Sequence, residues 1–191
     1  MQFMKQLPLI KIDNFRKTYK KSLIIFNDLV FDSKVTLIIG PNGSGKTTVL
    51  KGIANLIRYQ GDITKQGFVL YAEEIFNYPE DMIVEDYLNN LIDIGKGSIV
   101  LKNQLIKAFS MQDKAQEPFK VLSKGMKQKV NLIQTLMEPR DIYLLDEPTS
   151  GLDQKAIDAF IDILKKRHEM FICSTHQSLA FEALNPKKVY L

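Results

Sequence analysis

Residues 40–48 read Gly40-Pro41-Asn42-Gly43-Ser44-Gly45-Lys46-Thr47-Thr48 and match the pattern GxxxxGK[ST] without a gap. A loop of this kind binds phosphate through its backbone. The glycines let the chain curl until N–H groups point inward at the β- and γ-phosphates of a nucleotide. Lys46 adds a point charge there, the Thr47 hydroxyl can ligate Mg²⁺, and the following helix adds the positive end of its dipole. A glycine turn before an ordinary helix would need the Lys-Thr pair to fall at this spacing by accident.

Two more segments end in groups suited to the same chemistry. The run Leu144-Leu145 terminates in Asp146 and Glu147. Neighbouring side chains on a strand point to opposite sides, so the two acids can do different work. Asp146 can hold Mg²⁺, usually through water, and Glu147 can orient or deprotonate an attacking water. An acidic pair can also simply begin a loop; a phosphate loop in the same chain favours the chemical reading. Ser174-Thr175-His176 ends another apolar run, where a histidine could contact a γ-phosphate or polarise the surroundings of the water. Leu122-Ser123-Lys124-Gly125-Met126 opens a helical stretch. Ser123 has the type of an N-cap. Its hydroxyl, the Gly125 backbone and the positive helix end could also form an anion site, which Lys124 would strengthen.

The elements that must position these groups alternate along the chain. Residues 9–15 and 22–31 read as antiparallel, half-exposed strands with a turn at 16–21. The β-branched run Val35-Thr36-Leu37-Ile38-Ile39 reads as a buried strand leading into the loop. Val49, Leu50, Ile53, Ala54 and Ile57 then recur at helical spacing. A short strand is expected at 67–71. From about Ile75 to Met137 the spacing is helical: Ile83, Val84, Tyr87, Leu88, Leu91 and Ile92, then Leu101, Leu105, Ile106 and Phe109, then Val130, Ile133, Leu136 and Met137. Gly95-Lys96-Gly97-Ser98 breaks the first two of these helices. Residues 142–145 and 170–174 read as buried strands, and 189–191 as a last one. A helix over 156–164 lies between the first two of these and ends in Lys165-Lys166-Arg167-His168. Those cations suit a solvated helix C-terminus better than a nucleic-acid contact. Strands alternating with helices imply a parallel sheet with right-handed crossovers.

Bulk composition agrees. A chain of 191 residues, 45% apolar and 25% charged, suits one domain with an inserted subdomain. The net charge of +4 fits a polyanionic ligand without demanding one. No stretch approaches the ~20 apolar residues of a membrane-spanning helix. Met1 to Pro8 lack the apolar core of a secretory signal. Cys173 sits in an apolar run and reads as a small buried hydrophobe; a lone cysteine agrees with a cytosolic setting.

In this order the segments resemble the ATP-binding cassette (ABC) ATPases over nearly the whole chain. Residues 40–48 correspond to Walker A and 142–146 to Walker B, with Glu147 in the catalytic glutamate position. Residues 122–126 are similar to the LSGGQ signature, 150–153 resemble the D-loop, and His176 falls at the switch histidine. Tyr19 stands where the family places an aromatic that stacks on adenine. The resemblance implies an α/β, P-loop NTPase fold with a parallel core sheet, an N-terminal antiparallel β subdomain and an inserted helical subdomain. It makes residues 1–191 a single cassette, with 1–74 and 138–191 in the core and antiparallel parts and 75–137 in the helical subdomain. It also implies ATP hydrolysis with ATP and Mg²⁺ as cofactors. Lys46, Glu147 and His176 would be catalytic. Tyr19, Gly40, Asn42, Gly43, Ser44, Gly45, Lys46, Thr47, Thr48, Ser123, Lys124 and Gly125 would bind nucleotide. Thr47, Glu74 and Asp146 would hold the metal.

The resemblance further implies a homodimer or heterodimer of cassettes packed head to tail, each ATP lying between Walker A of one chain and residues 123–125 of the other. Membrane-embedded permease subunits would be driven by this cycle, with the cassette cytoplasmic and peripheral on the inner face of the membrane, in an exporter; no nucleic-acid partner is expected. Ile75, Phe76, Tyr78 and Pro79 could line a groove for the membrane subunit or belong to the helical core. A soluble ABC ATPase such as an iron–sulfur assembly factor is the competing reading. Three departures from the family pattern stand out. Lys124 and Met126 replace a glycine and a glutamine of the signature. Tyr71-Ala72-Glu73-Glu74 aligns with Tyr-x-x-Gln, putting a carboxylate where a glutamine binds Mg²⁺; altered Mg²⁺ dependence or coupling with persisting hydrolysis is expected. The chain also ends soon after His176, where many cassettes carry an extension.

Overall fold

The computed structural model describes residues 8–19, 22–176 and 178–191. They form two compact units. The first comprises Met1–Tyr71, Arg140–Asp146 and Arg167–Leu191, and the second Ala72–Pro139 and Glu147–Lys166.

The first unit is built on two sheets. β1 (Ile10–Tyr19) pairs antiparallel with β2 (Ser22–Phe26), β3 (Leu29–Phe31) and β5 (Gln60–Lys65). β1 therefore runs to Tyr19, through most of the segment expected to turn; Lys20 and Lys21 lie outside the described residues. The spacing of its apolar residues explains an irregularity. Ile10 and Ile12 are buried, Asp13 and Asn14 are both exposed, and Phe15 is buried again. The register with β5 shifts between Asp13 and Arg16, and Asn14 sits at φ 51°. The bulge re-phases the alternation by one residue and so turns Phe15 to the core. β5 has no sequence signal: only Ile63 is apolar in Gln-Gly-Asp-Ile-Thr-Lys.

The second sheet has the order β6-β7-β8-β4-β9, with β4 (Val35–Ile39), β6 (Val69–Ala72), β7 (Ile142–Asp146), β8 (Met170–Thr175) and β9 (Lys187–Tyr190). The pairs β7–β8, β8–β4 and β4–β9 are parallel. β7 and β8 are buried along their whole length, as continuous apolar runs in a parallel sheet should be. α1 (Lys46–Ile53) follows the phosphate loop and stops before Ile57. Its Val49, Leu50 and Ile53 join Ile10, Ile12, Phe15, Phe31, Ile38, Ile142, Leu144, Met170 and Ile172 in one core. Cys173 is fully buried, and burial pushes its thiol up.

The second unit is helical: α2 (Val84–Asp93), α3 (Ile99–Ala108), α4 (Lys124–Leu136) and α5 (Gln154–Lys166). Ser98, in the Gly-rich break, caps α3 by accepting from Leu101 N. Tyr78 stacks on Phe119 at 4.2 Å with Tyr87 edge-on to both, so its ring belongs to the core of this unit, and it also lines a cavity beside Ile75 and Phe76. Residues 147–166 group here, and within them residues 148–153 are linked to α4 and to Glu74, as described below. The run after α5 also differs from expectation. Arg167 is no solvated cap: its guanidinium donates to Tyr143 Oη (2.8 Å) and pairs with Glu169 (2.8 Å) in the first unit.

The bulge makes a stability prediction. Phe15→Ala empties a fully buried site against Phe26 and Tyr59. It should cost about 3–5 kcal/mol in urea unfolding; a loss below about 1 kcal/mol would show that the re-phased Phe15 does not anchor this core.

Candidate nucleotide-binding site

The phosphate loop springs from the C-terminal end of β4. Gly45 has φ 103°, and a Cβ there would lie 2.8 Å from Phe26 Cζ and 2.9 Å from Ile24 Cγ2. Only glycine meets both the left-handed backbone and the close approach of β2. From this position the chain enters α1, where Val49 N donates to Gly45 O at 2.9 Å. Lys46, 7% exposed, donates from Nζ to Gly40 O (2.8 Å) and Pro41 O (3.3 Å). Ser44 Oγ is buried with no hydrogen-bond partner among the described residues. Asn42, Gly43 and Thr47 are exposed, and Thr48 is buried. Tyr19 Oη lies 3.1 Å from Thr48 Oγ1, tying the end of β1 to the first turn of α1. Tyr19 is 42% exposed, with Lys17 Nζ 5.4 Å from its ring centroid.

The parallel register brings further groups to the same sheet edge. Ile39 pairs with Thr175, and Asp146 with Ser174. Gly40, Asp146 and His176 therefore sit at the C-terminal ends of adjacent strands, where open α/β sheets bind ligands. Asp146 is 5% exposed and accepts two hydrogen bonds, from Tyr71 Oη on Oδ2 (3.1 Å) and from Ser174 Oγ on Oδ1. His176 is exposed. Glu147, the residue after Asp146, is 8% exposed at φ 45°, a left-handed conformation that bulky residues take only when their surroundings impose it.

In the second unit, three sequence-predicted segments meet. Ser123 caps α4, accepting from Met126 N at 3.2 Å. A Cβ on Gly125 would stand 2.5 Å from Gly151 O, and the Lys124 methylenes pack beside Gly151. Gln128 Nε2 donates to Pro148 O (3.1 Å), and Lys129 Nζ pairs with Asp153 (3.0 Å). Asp153 also accepts from Ala156 N at the start of α5; that amide and then Lys129 hold its carboxyl below the usual range. Glu74 Oε1 accepts from Ser150 Oγ (3.3 Å), and Asn131 Nδ2 donates to the carbonyl of Glu73 (2.7 Å). Sequence reasoning did not single out Tyr71, Ser174, Ser150, Gln128 or Asn131 for these contacts. Only the Tyr-x-x-Gln pattern pointed near Tyr71, and strand register is not written locally.

The loop fits a triphosphate. An unpartnered buried hydroxyl and a buried ammonium resting on carbonyls are what phosphate oxygens would satisfy. The donor set also fits Mg²⁺. Thr47 and Asp146 supply hard oxygens, and no group of three or more His, Cys, Asp or Glu among the described residues could hold a metal by itself. An ion bound here would depend on phosphate and water oxygens, as Mg²⁺ commonly does.

A family model described as ABC transporter matches residues 29–150. The chain belongs to the ABC transporter family. It is an ABC ATPase nucleotide-binding domain, and ATP is its ligand. The cassette is 32% identical over 186 residues to the ABC transporter ATP-binding protein YybJ of Bacillus subtilis, covering 88% of this chain and 85% of that protein. It is 34% identical over 172 residues to NatA of the same organism, covering 79% and 70%. A solved ATP-binding subunit of an ABC transporter is 25% identical, with a TM-score of 0.77 over 96% of this cassette and 85% of that chain. A relative from Methanosarcina acetivorans is much longer, and the cassette spans 34% of it.

Gly45 is a direct test of the preformed cradle. Gly45→Ala should add about 1–3 kcal/mol of strain and weaken binding of a fluorescent ATP analogue about ten- to hundredfold, with unchanged far-ultraviolet circular dichroism. Wild-type affinity would mean that the positive φ is not needed to hold phosphate.

Proposed function

We propose that this cassette hydrolyses ATP as the nucleotide-binding subunit of a transporter, most simply an exporter, whose membrane-embedded permease is a separate protein. The observation that supports it best is the shared sheet edge: the phosphate loop, Asp146 and His176 end adjacent strands. Among the described residues no helix is long and apolar enough to cross a membrane. A peripheral position on the inner membrane face follows if the pore is another chain. The signature variant Leu122-Ser123-Lys124-Gly125-Met126 resembles those of exporter cassettes.

The residues divide the work. Backbone N–H groups of the loop other than Ser44 N, which donates to Pro41 O, would bind the β- and γ-phosphates together with the Ser44 hydroxyl. Lys46 would move its ammonium from the Gly40 and Pro41 carbonyls to a phosphate oxygen. Tyr19 would present its ring to the adenine. Thr47 and Asp146 are the candidate ligands of Mg²⁺ in the first unit, which when bound supplies positive charge to the triphosphate, and the Tyr-x-x-Gln motif alone would add Glu74. Glu147 would hold the attacking water in line with the γ-phosphorus and take its proton. His176 would steady the γ-phosphate. Ser123, Lys124 and Gly125 would complete the site of a partner cassette, homologous or identical, across a head-to-tail dimer. Ser123 Oγ already accepts from Met126 N, which leaves its hydroxyl proton for a phosphate oxygen.

Glu147→Gln keeps size and removes the base. It should lower phosphate release roughly 10²–10⁴-fold while ATP binding persists, and size-exclusion chromatography with ATP should show a dimer. Normal turnover by this variant would remove Glu147 from the proposed role. Retained binding and lost turnover without any dimer would remove the shared site.

A further inference from the structure

Asp146 is held by two hydroxyls, and neither has an assigned role in the chemistry above. Tyr71 lies on β6, beside β7 in the sheet, and its Oη reaches Asp146 Oδ2 at 3.1 Å. Ser174 Oγ takes the other oxygen from β8. Lys51 Nζ, in the last turn of α1, stands 5.9 Å from the Tyr71 ring centroid. The phenol thus bridges the helix of the phosphate loop and the buried carboxylate.

We propose that Tyr71 is a positioning residue for Mg²⁺: its hydroxyl fixes the rotamer of Asp146 so that the remaining lone pairs face the phosphate loop. A carboxylate offers about four acceptor sites. Two are taken by Tyr71 and Ser174, one on each oxygen, and the plane of the carboxylate is set between them. Donors behind a metal-binding group hold it in one orientation and remove the rotational freedom it would otherwise lose on binding. Ser174 alone fixes one oxygen and leaves the carboxylate free to rock about that contact. Tyr71 supplies the second point. The Tyr71 ring is only partly buried, so loss of its oxygen leaves no sealed cavity.

The test is Tyr71→Phe, which removes one oxygen and keeps the ring under Lys51. Binding of a fluorescent ATP analogue is titrated with Mg²⁺, and in parallel measured in EDTA. The half-saturating Mg²⁺ concentration should rise about tenfold or more, while affinity in EDTA stays at the wild-type value. Excess Mg²⁺ should restore phosphate release. Tyr71→Leu is the packing control and should lower the thermal midpoint in EDTA further than Tyr71→Phe does. An unchanged or lower Mg²⁺ requirement in Tyr71→Phe overturns the proposal. So does an equal loss of affinity with and without metal, which would make the contact structural. The inference rests on Asp146 as the metal carboxylate, and the wild-type titration separates the two. If wild-type nucleotide binding ignores Mg²⁺, that reading of Asp146 fails; if only the difference between wild type and variant is missing, the inference about Tyr71 fails.

Discussion

A buried ammonium must have oxygen partners, and Lys46 finds them in its own loop. Its Nζ is shielded from water and rests on the carbonyls of Gly40 and Pro41. Leaving such a charge unpaired would cost several kcal/mol, so the loop has to curl tightly enough to bring those carbonyls within reach. That curl requires the left-handed Gly45, and Gly45 in turn is packed by Ile24 and Phe26 of the antiparallel sheet. The N-terminal strands thus act on the chemistry indirectly, by fixing the shape of the loop. Phosphate oxygens offer Lys46 a stronger, anionic partner than neutral carbonyls. A nucleotide in the loop would offer Lys46 an exchange of these carbonyls for phosphate oxygens.

The second constraint is parallel register. Three strands whose ends carry Gly40, Asp146 and His176 are adjacent, and each ends at the same edge. Each of these residues is remote in sequence from the other two. Only the crossover topology assembles them, and the fully buried β7 and β8 are what hold that topology in place. In the second unit, α4 carries the signature segment and is bound to residues 148–153 by Gln128, Lys129 and the close Gly125–Gly151 approach. A movement of the start of α4 therefore carries residues 148–153 with it, and Ser150 links them to Glu74.

Much of this was legible in the sequence. The loop, the acid pair and the serine cap depend on local residue types, and α2, α3 and α4 on 3.6-residue spacing. What was hidden depends on partners far along the chain. β5 carries one apolar residue, and β1 pairs with it regardless. The bulge at Asn14 is visible only as a break in alternation between Ile12 and Phe15. Tyr78 follows the Glu74 segment and lines a cavity with Ile75 and Phe76, but its stacking on Phe119, 41 residues on, is not written locally. Arg167 continued a run of cations, yet Tyr143 and Glu169 claim it. The hydroxyls around Asp146 could not be assigned at all, because a one-residue slip in register would point Ser174 elsewhere.

The most direct measurement is a crystal structure of the Glu147→Gln protein with ATP and Mn²⁺ in place of Mg²⁺, the metal being located by its anomalous scattering. The account predicts triphosphate in the 40–48 loop, Lys46 Nζ withdrawn from the Gly40 and Pro41 carbonyls onto a phosphate oxygen, and a manganese peak beside Thr47 on the Asp146 side. Nucleotide bound elsewhere, or Lys46 still on its own carbonyls with phosphate in place, would contradict it.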